Sequence, residues 1–325
     1  MIQLKHIGIS VSSPSGPNRF KQLEKSLEYA KALGFDRVEV SYVPYALLIN
    51  GEVRPSALMD FVAVLKNAGL RYSMHGLMRL NLAFDPRVEL CKKILRSEID
   101  ICQAIGAGVL VYHSGLQALD ALRHGLRRYP FSGNELALGA KQEVQAFKEI
   151  GPYAADAGVI VGMENGDSHQ WEHTLLSPHG LPRQALLQHH ARLKIEPIVR
   201  QLEQINHPNI ALTLDFAHLW IAANDMEFDY FDGIRAAAPW VKHLHMSDNF
   251  GRLDHGFDYE PDRWALGEAD MHMPPGLGSV PLHEALAQLP DYRGDAILEI
   301  EKGFIDDAVA GREHVLRQIQ EPIVA

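Results

Sequence analysis

The chain has 325 residues, of which 46% are hydrophobic and 22% charged, a composition typical of globular proteins with a large core. It carries 41 acidic and 31 basic side chains, and the net charge of −10 argues against nucleic acid as a partner. Only two cysteines, no apolar run of about eighteen residues and no signal-peptide core predict a cytoplasmic protein outside membranes. The 17 histidines are the unusual feature, and metal binding is one use for them.

Short apolar runs alternate with longer amphipathic stretches along the chain, the order typical of parallel strands joined by crossover helices. The predicted strands are 3–9, 37–41, 71–74, 108–112, 159–163, 210–214, 241–245 and 296–300. The predicted helices are 20–33, 55–67, 86–105, 138–157, 182–205, 228–238, 282–289 and 305–318. These units predict an α/β protein, a (β/α)₈ TIM barrel that forms one domain over residues 1–325.

Three connections are long, and all of them follow strands. They come after the fourth, fifth and seventh predicted strands, at 114–135, 165–180 and 246–279. In barrel enzymes the loops after the strands surround the active site, while the opposite face carries short turns. We therefore expect insertions at the catalytic face.

A histidine or a carboxylate stands at the end of most predicted strands. These residues are His75, His113, Glu164, Asp215, His218, His245, Asp270, His272 and Glu299. Each alone has an ordinary explanation, such as a helix cap or a hydrogen-bonded structural histidine. Together they predict a divalent cation, because several carboxylates buried in one lumen would otherwise be strongly destabilising. Mixed imidazole and carboxylate ligands favour manganese, zinc, cobalt or iron over calcium.

Seven short motifs carry these residues. They are Met74-His75 before Asn81-Leu82, Tyr112-His113-Ser114, Met163-Glu164-Asn165, Leu214-Asp215 with His218, His243-Leu244-His245, Asp270-Met271-His272 before Gly276, and Gly294 before Leu298-Glu299. In this order they resemble the xylose-isomerase-like barrels, which include sugar isomerases and epimerases and the endonuclease IV type of DNA-repair enzyme. The resemblance covers most of the chain.

The resemblance implies two ligand sets. In the epimerases the matching positions hold one metal ion, and they are Glu164, Asp215, His245 and Glu299. In the endonuclease IV group a further five positions join those four around as many as three ions, and they are His75, His113, His218, Asp270 and His272. Isomerase-like relatives also keep several of these histidines for substrate hydroxyls, so the full set leaves both activities open.

Two chemistries suit such a site. With a keto-sugar or related polyol, a metal on the carbonyl acidifies the neighbouring C–H, and Glu164 and Glu299 transfer the proton through an enediolate. His218 would then polarise a substrate oxygen, and His113 would hold a hydroxyl or phosphate. With a phosphodiester, clustered metals activate a water and neutralise the leaving oxygen. A barrel that only binds a ligand is a third hypothesis, disfavoured by the two flanking glutamates.

The loops favour the small-molecule hypothesis. The segment 76–79 after His75 lacks the tyrosine that resemblance to the repair enzymes leads us to expect. Trp171 and Trp220, near strand ends, are predicted to bind substrate, because aromatic faces stack on sugar C–H surfaces. The 246–279 insertion adds aromatic and acidic residues, namely Phe250, Phe257, Tyr259, Trp264, Asp254, Asp258, Glu260 and Asp262. Its aromatics alternatively pack the insertion itself or form a contact in a homo-oligomer.

Several secondary expectations concern neighbouring residues. Glu301 shares a strand face with Glu299 and is expected nearer the rim, whereas His243 is expected in the lumen one layer below His245. Four histidines in predicted helices are expected to be solvated at the surface, namely His189, His190, His283 and His314. Cys91 and Cys102 lie too far apart along one predicted helix to form a disulfide. We predict a metal-dependent isomerase or epimerase of carbohydrate metabolism, with a phosphoester hydrolase as the alternative.

Overall fold

The computed structural model describes residues 2–11, 14, 16–256 and 260–320, without the side chains of 260 and 261. Eight parallel strands close into a barrel in which each strand pairs with its neighbours in chain order. They are β1 Ile7–Ser10, β2 Arg37–Ser41, β3 Arg71–His75, β4 Val109–His113, β5 Ile160–Glu164, β6 Ile210–Asp215, β7 Val241–Met246 and β8 Asp295–Leu298. The predicted (β/α)₈ barrel is confirmed.

Helices surround the barrel and extend into its long loops. They are α1 Arg19–Ala32, α2 Pro55–Ala68, α3 Val88–Ile105, α4 Asp120–Arg123, α5 Gly133–Asp156, α6 Gln170–Leu176, α7 Leu186–His189, α8 Ile195–Ile205, α9 Phe216–Met226, α10 Tyr230–Ala237, α11 Glu260–Leu266, α12 Leu282–Ala287 and α13 Ala308–Gln320. A two-stranded hairpin, Leu48–Ile49 with Glu52–Val53, precedes α2. Among the described helices none is long and apolar enough to cross a membrane.

The largest error in the predicted elements is the single helix over 182–205. The chain instead forms short pieces there before the regular helix α8 begins at Ile195. At His190 the backbone leaves the helical region, with φ −132° and ψ 67°. A second helix, α9, begins directly after β6 where no helix was predicted. The helix α9 was not predicted because its apolar residues follow those of β6 directly, with no turn between the two elements.

The main core lies between the strands and the helix layer. Its largest fully buried side chains include Phe61, Phe147 and Phe216, contributed by α2, α5 and α9. A second apolar cluster lies under the long loops after β4 and β5 and consists of Leu119, Leu176, Leu186, Leu193, Ala222 and Met226. Burial of apolar surface contributes about 25 cal/mol per Å². Burial of apolar side chains in this second cluster therefore stabilises these loops separately from the main core.

The strand register brings polar residues together at the carboxyl end of the barrel. His113 of β4 lies opposite Glu164 of β5, and Asp215 of β6 lies opposite His245 of β7. β5 also approaches β6 closely, because a Cβ on Gly162 would lie 2.1 Å from the Thr213 hydroxyl. A side chain at position 162 would push these two strands apart.

Candidate metal centre

Four residues meet inside the mouth of the barrel. Glu164, Asp215 and His245 end or nearly end their strands, and Glu299 directly follows β8 rather than lying within it. All four are buried, and one ligand atom from each lies within 4.8 Å of the others. His245 Nδ1 lies 2.7 Å from Glu164 Oε1 and 3.2 Å from Glu299 Oε2. We call this group the core cluster.

Asp215 divides its two carboxylate oxygens between two tasks. Oδ1 accepts the backbone N–H of His218 at 2.7 Å and so caps the first turn of α9. Oδ2 is buried without a hydrogen-bond partner, and the nearest imidazole nitrogens, on His218 and His245, are 3.9 and 4.0 Å away. Burial raises the pKa of Asp215 to about 7, and the carboxylates of Glu299 and Asp270 add to this rise. A bound cation would satisfy this oxygen.

The two glutamates of the core cluster behave differently from Asp215. Burial alone would raise the pKa of Glu164, but His245 and His113 hold it well below its ordinary value. Burial is likewise outweighed at Glu299, where His245 lowers the pKa. His245 in turn has a raised pKa despite its burial, because Glu299 and two other carboxylates surround it. The core cluster is therefore a network of compensating charges.

Two further groups of ligand type flank the core cluster. On one side His113 Nε2 lies 3.0 Å from Glu164 Oε2 and 3.2 Å from His75 Nε2. On the other side His218 Nε2 lies 3.2 Å from Asp270 Oδ2, which also contacts His272 Nε2. Each flanking trio places its ligand atoms within 4.8 Å of one another. All nine residues singled out at strand ends are thus brought into one region.

The two tryptophans predicted to bind substrate make their contacts outside the core cluster. Trp171 packs on the apolar cluster under the loops, stacks at 6.0 Å on His169 and carries the Arg123 guanidinium 4.1 Å over its ring. Trp220 makes an edge contact with Tyr230 and donates its indole N–H to the Ser279 hydroxyl at 3.4 Å. These contacts involve loop and helix residues rather than members of the core cluster.

Hydrogen bonds accepted by one carboxylate near the start of the 246–279 insertion connect it to the end of the insertion. Asp248 accepts the backbone N–H groups of Gly276 at 2.8 Å and Val280 at 3.0 Å. Trp264 packs on Phe304, and Asp254 is buried. Phe257, Asp258, Tyr259 and the side chain of Glu260, which were expected to contribute here, lie outside the described residues. Glu301 caps the following 3₁₀ turn, Lys302–Asp307, through the backbone N–H of Lys302.

The expectation that four histidines are solvated at the surface is wrong for His189 and His190, which are only 4% and 2% exposed. His190 Nδ1 lies 2.7 Å from Glu172 Oε1, so the break in the predicted helix turns this side chain inward. His283 and His314 are half-buried. Both cysteines are free and buried in α3, as expected.

A second polar network, centred on the half-buried His169, was missed by the sequence analysis. His169 lies 3.5 Å from both Asp167 Oδ1 and Asp254 Oδ2. Although burial alone would lower the pKa of His169, these two carboxylates and Glu172 raise it to about 9. The network joins the loop after β5 to the insertion after β7. In the sequence, both loops are rich in histidine and aspartate, but this composition does not show which of these residues contact one another.

Glu39 was also missed, although it lies directly below the core cluster. It belongs to β2, is 2% exposed and lies 3.0 Å from His243 Nε2, which occupies the lumen layer below His245 as expected. One signal was present in the sequence. A single carboxylate in the middle of the otherwise apolar run Val38-Glu39-Val40 must be buried beside a partner.

The fold and the cluster define a class, namely a (β/α)₈ barrel with imidazole and carboxylate side chains gathered at the carboxyl ends of its strands. The model of the family "Xylose isomerase-like TIM barrel" matches residues 27–319. The chain belongs to this family, and the resemblance seen in the motifs is confirmed.

Solved structures of similar fold include sugar epimerases. A D-tagatose 3-epimerase-like protein is 18% identical, with a TM-score of 0.65 over 97% of each chain. A D-allulose 3-epimerase from Methylomonas sp., in complex with D-allulose, is 18% identical, with a TM-score of 0.62 over 98% of this chain and 97% of its own. At this identity the likeness establishes the shared fold.

One curated relative has a different activity. The 3-dehydroshikimate dehydratase of Bacillus anthracis is 29% identical over 104 residues, which cover 31% of this chain. The match spans only about a third of that relative's own length, 34%. It is a partial likeness within the barrel.

Proposed function

We propose that the protein is a metal-dependent isomerase or epimerase that acts on a carbohydrate or a related hydroxy-carbonyl compound. The observation that carries this proposal is the pair of buried carboxylates, Glu164 and Glu299, that border the same nitrogen of His245. Two carboxylates on either side of a reacting carbon supply one group to remove a proton and another to return it. The sugar epimerases of similar fold support this substrate class.

The donor set of the core cluster fits a divalent cation. Glu164, Asp215, His245 and Glu299 would hold one ion, and the unpaired Oδ2 of Asp215 supports this assignment. Manganese, zinc, cobalt and iron are the ions that suit three carboxylates and one imidazole. When bound, such an ion supplies Lewis acidity toward a carbonyl oxygen and its neighbouring hydroxyl.

The remaining chemistry belongs to the protein. One glutamate removes the proton from the carbon beside the carbonyl, and the other delivers a proton to the opposite face or to the next carbon. The two carboxyl groups exchange protonation states in each turnover. His218 and His113, both half-buried at the rim of the core cluster, would donate hydrogen bonds to substrate oxygens.

Solvent deuterium tests this proposal. The manganese-loaded protein is incubated in D₂O with D-fructose, D-tagatose, D-allulose and their phosphates, and deuterium in the sugar C–H bonds is measured by NMR. We expect incorporation together with a new epimer or isomer. The proposal is wrong if the loaded protein binds these sugars but exchanges no proton, a result that would instead support a barrel that only binds.

A phosphoester hydrolase is the second candidate, and the two flanking trios favour it. Together with the core cluster they offer ligands for as many as three ions. Metal analysis of the purified protein separates the candidates: three ions per chain and release of nitrophenol from bis(p-nitrophenyl) phosphate would favour hydrolysis. One ion per chain would favour isomerisation. The net charge of −10 remains an argument against a nucleic-acid substrate.

Trp171 and Trp220 are proposed to border the substrate, and the 246–279 insertion is proposed as a lid or a homo-oligomer contact. The cytoplasmic location and the organisation as one domain remain predictions from composition and length.

A further inference from the structure

Glu39 lies on one side of the His245 ring, and the other members of the core cluster lie on the opposite side. Its Oε1 is 3.1 Å from His245 Nε2, while His245 Nδ1 faces Glu164 and Glu299. An imidazole that binds a cation through Nδ1 carries its remaining proton on Nε2. Neither Glu39 Oε1 nor His245 Nε2 forms a hydrogen bond of regular geometry with any described residue, so at this distance each of these two buried atoms is available to the other.

The other oxygen of Glu39 is already held. Oε2 accepts the Ser73 hydroxyl at 2.9 Å and lies 3.0 Å from His243 Nε2. Ser73 lies opposite Glu39 in the pairing of β3 with β2, so two strands fix the carboxylate. A carboxylate held in this way can fix the plane of the His245 ring and thereby the direction of its Nδ1 lone pair.

We propose that Glu39 is a positioning residue for the core cluster: it holds His245 so that Nδ1 points at the cation. This inference rests on the metal site described under the proposed function. Glu39 is not proposed to contact the substrate, because it lies against His245 Nε2 rather than among the other members of the core cluster. Carboxylates behind a metal-bound histidine orient the ring and raise its basicity, and their loss lowers metal affinity by about 10- to 100-fold.

The test measures cobalt binding by the full-length chain. Co²⁺ is titrated against a competing chelator, and the visible absorption of the bound ion is recorded for wild type, Glu39→Gln and Glu143→Gln. Glu143 is the matched control, a fully buried glutamate bonded to Tyr112, Gly115 and Gln201 rather than to a histidine. A melting curve for each variant shows that it is folded.

We expect Glu39→Gln to bind Co²⁺ about 10- to 100-fold more weakly with a shifted absorption band, and Glu143→Gln to match wild type. Equal affinity and equal spectra in Glu39→Gln and wild type would overturn the inference. The inference would also be overturned if Glu39→Gln bound one Co²⁺ fewer per chain than wild type and bound the remaining ions with unchanged affinity. Glu39 would then itself be a metal ligand.

A second variant covers the case in which Glu39→Gln does not fold. Ser73→Ala removes one hydrogen bond to Glu39 and leaves its charge, so a smaller fall in Co²⁺ affinity, about two- to fivefold, is expected. Affinity equal to wild type in Ser73→Ala would then refute the role of Glu39. Wild type that binds no Co²⁺ would instead refute the metal site on which the inference rests.

Discussion

Buried carboxylates occur in two settings in this barrel, and their partners differ. Behind the strands, Glu98 accepts the Tyr42 hydroxyl and the Leu77 N–H at 2.7 Å each, and Glu143 is bonded by similar neutral donors. Burial raises the pKa of Glu98 to about 7 and also raises that of Glu143. At the mouth, the carboxylates face histidines and Asp215 keeps one oxygen unpaired.

The two settings differ in the way that structural carboxylates and those proposed to hold a cation should differ. Neutral donors offset part of the cost of burying a carboxyl group, and its pKa stays above the ordinary value because no charged partner opposes the effect of burial as strongly as at the mouth. Charged partners and an unpaired oxygen leave a group that still needs a ligand. The following predictions test this division, beginning with the largest expected effect.

The glutamates of the core cluster should be essential for turnover. Glu164→Gln and Glu299→Gln each remove a group proposed to transfer a proton, so kcat for deuterium exchange should fall by about 100- to 10,000-fold. Circular dichroism should show the barrel intact in both. Activity that persists in both variants would place the chemistry elsewhere.

Cation removal should destabilise the protein through the core cluster. A cation that binds only the folded state at about 1,000 times its Kd adds about 4 kcal/mol to the free energy of unfolding. For a chain of 325 residues, a chelator should therefore lower Tm by about 6 °C. Asp215→Asn keeps a helix cap but loses a charged ligand, so most of this difference should disappear. An unchanged chelator effect in that variant would contradict the assignment of Asp215.

Glu98 should impose a pH dependence on stability. Between its ordinary pKa of 4.5 and its folded pKa of about 7, the unfolded chain releases a proton that the folded chain retains. Stability conferred by the protonated form is thus lost as pH rises through this window, by about 3 kcal/mol in total. Glu98→Gln cannot titrate, so its free energy of unfolding should exceed that of wild type increasingly from pH 4.5 to 7. Parallel urea curves for the two proteins at both pH values would contradict this.

The smallest effect is expected when one neutral hydrogen-bond donor to a buried carboxylate is removed. Tyr112→Phe removes one of the hydrogen bonds to Glu143, and the Gly115 N–H and the Gln201 amide remain. The free energy of unfolding should fall by about 1 to 2 kcal/mol, measured by urea denaturation. Cobalt affinity should not change, and a clear loss would show that this group supports the metal site after all.

The sequence was sufficient to predict the barrel and the convergence at its mouth. Strands buried on both faces are continuous apolar runs, and a polar residue that closes such a run must lie at the strand's end. In a barrel all these ends share one face, so the meeting of Glu164 with His245, 81 positions apart, follows from topology alone.

Side-chain partners within the layers were not predictable in the same way. Glu39 meets His243 across 204 positions, and nothing in the alternation of β2 shows which histidine of which strand lies opposite in the lumen. The inward turn of His190 depends on one non-helical backbone conformation, whereas periodicity over 182–205 indicated a continuous helix with this residue outside. Such local breaks are decided by tertiary contacts, here the contact with Glu172.

Because Asp215 uses its two oxygens differently, it links the proposed metal site to the deuterium exchange of a main-chain amide. Its Oδ1 holds the N–H of His218, so a cation on Oδ2 immobilises the carboxylate that closes the start of α9. Opening of that first turn and release of the cation therefore become coupled equilibria. The deuterium exchange rate of this one amide would report occupancy of the site in the absence of any substrate.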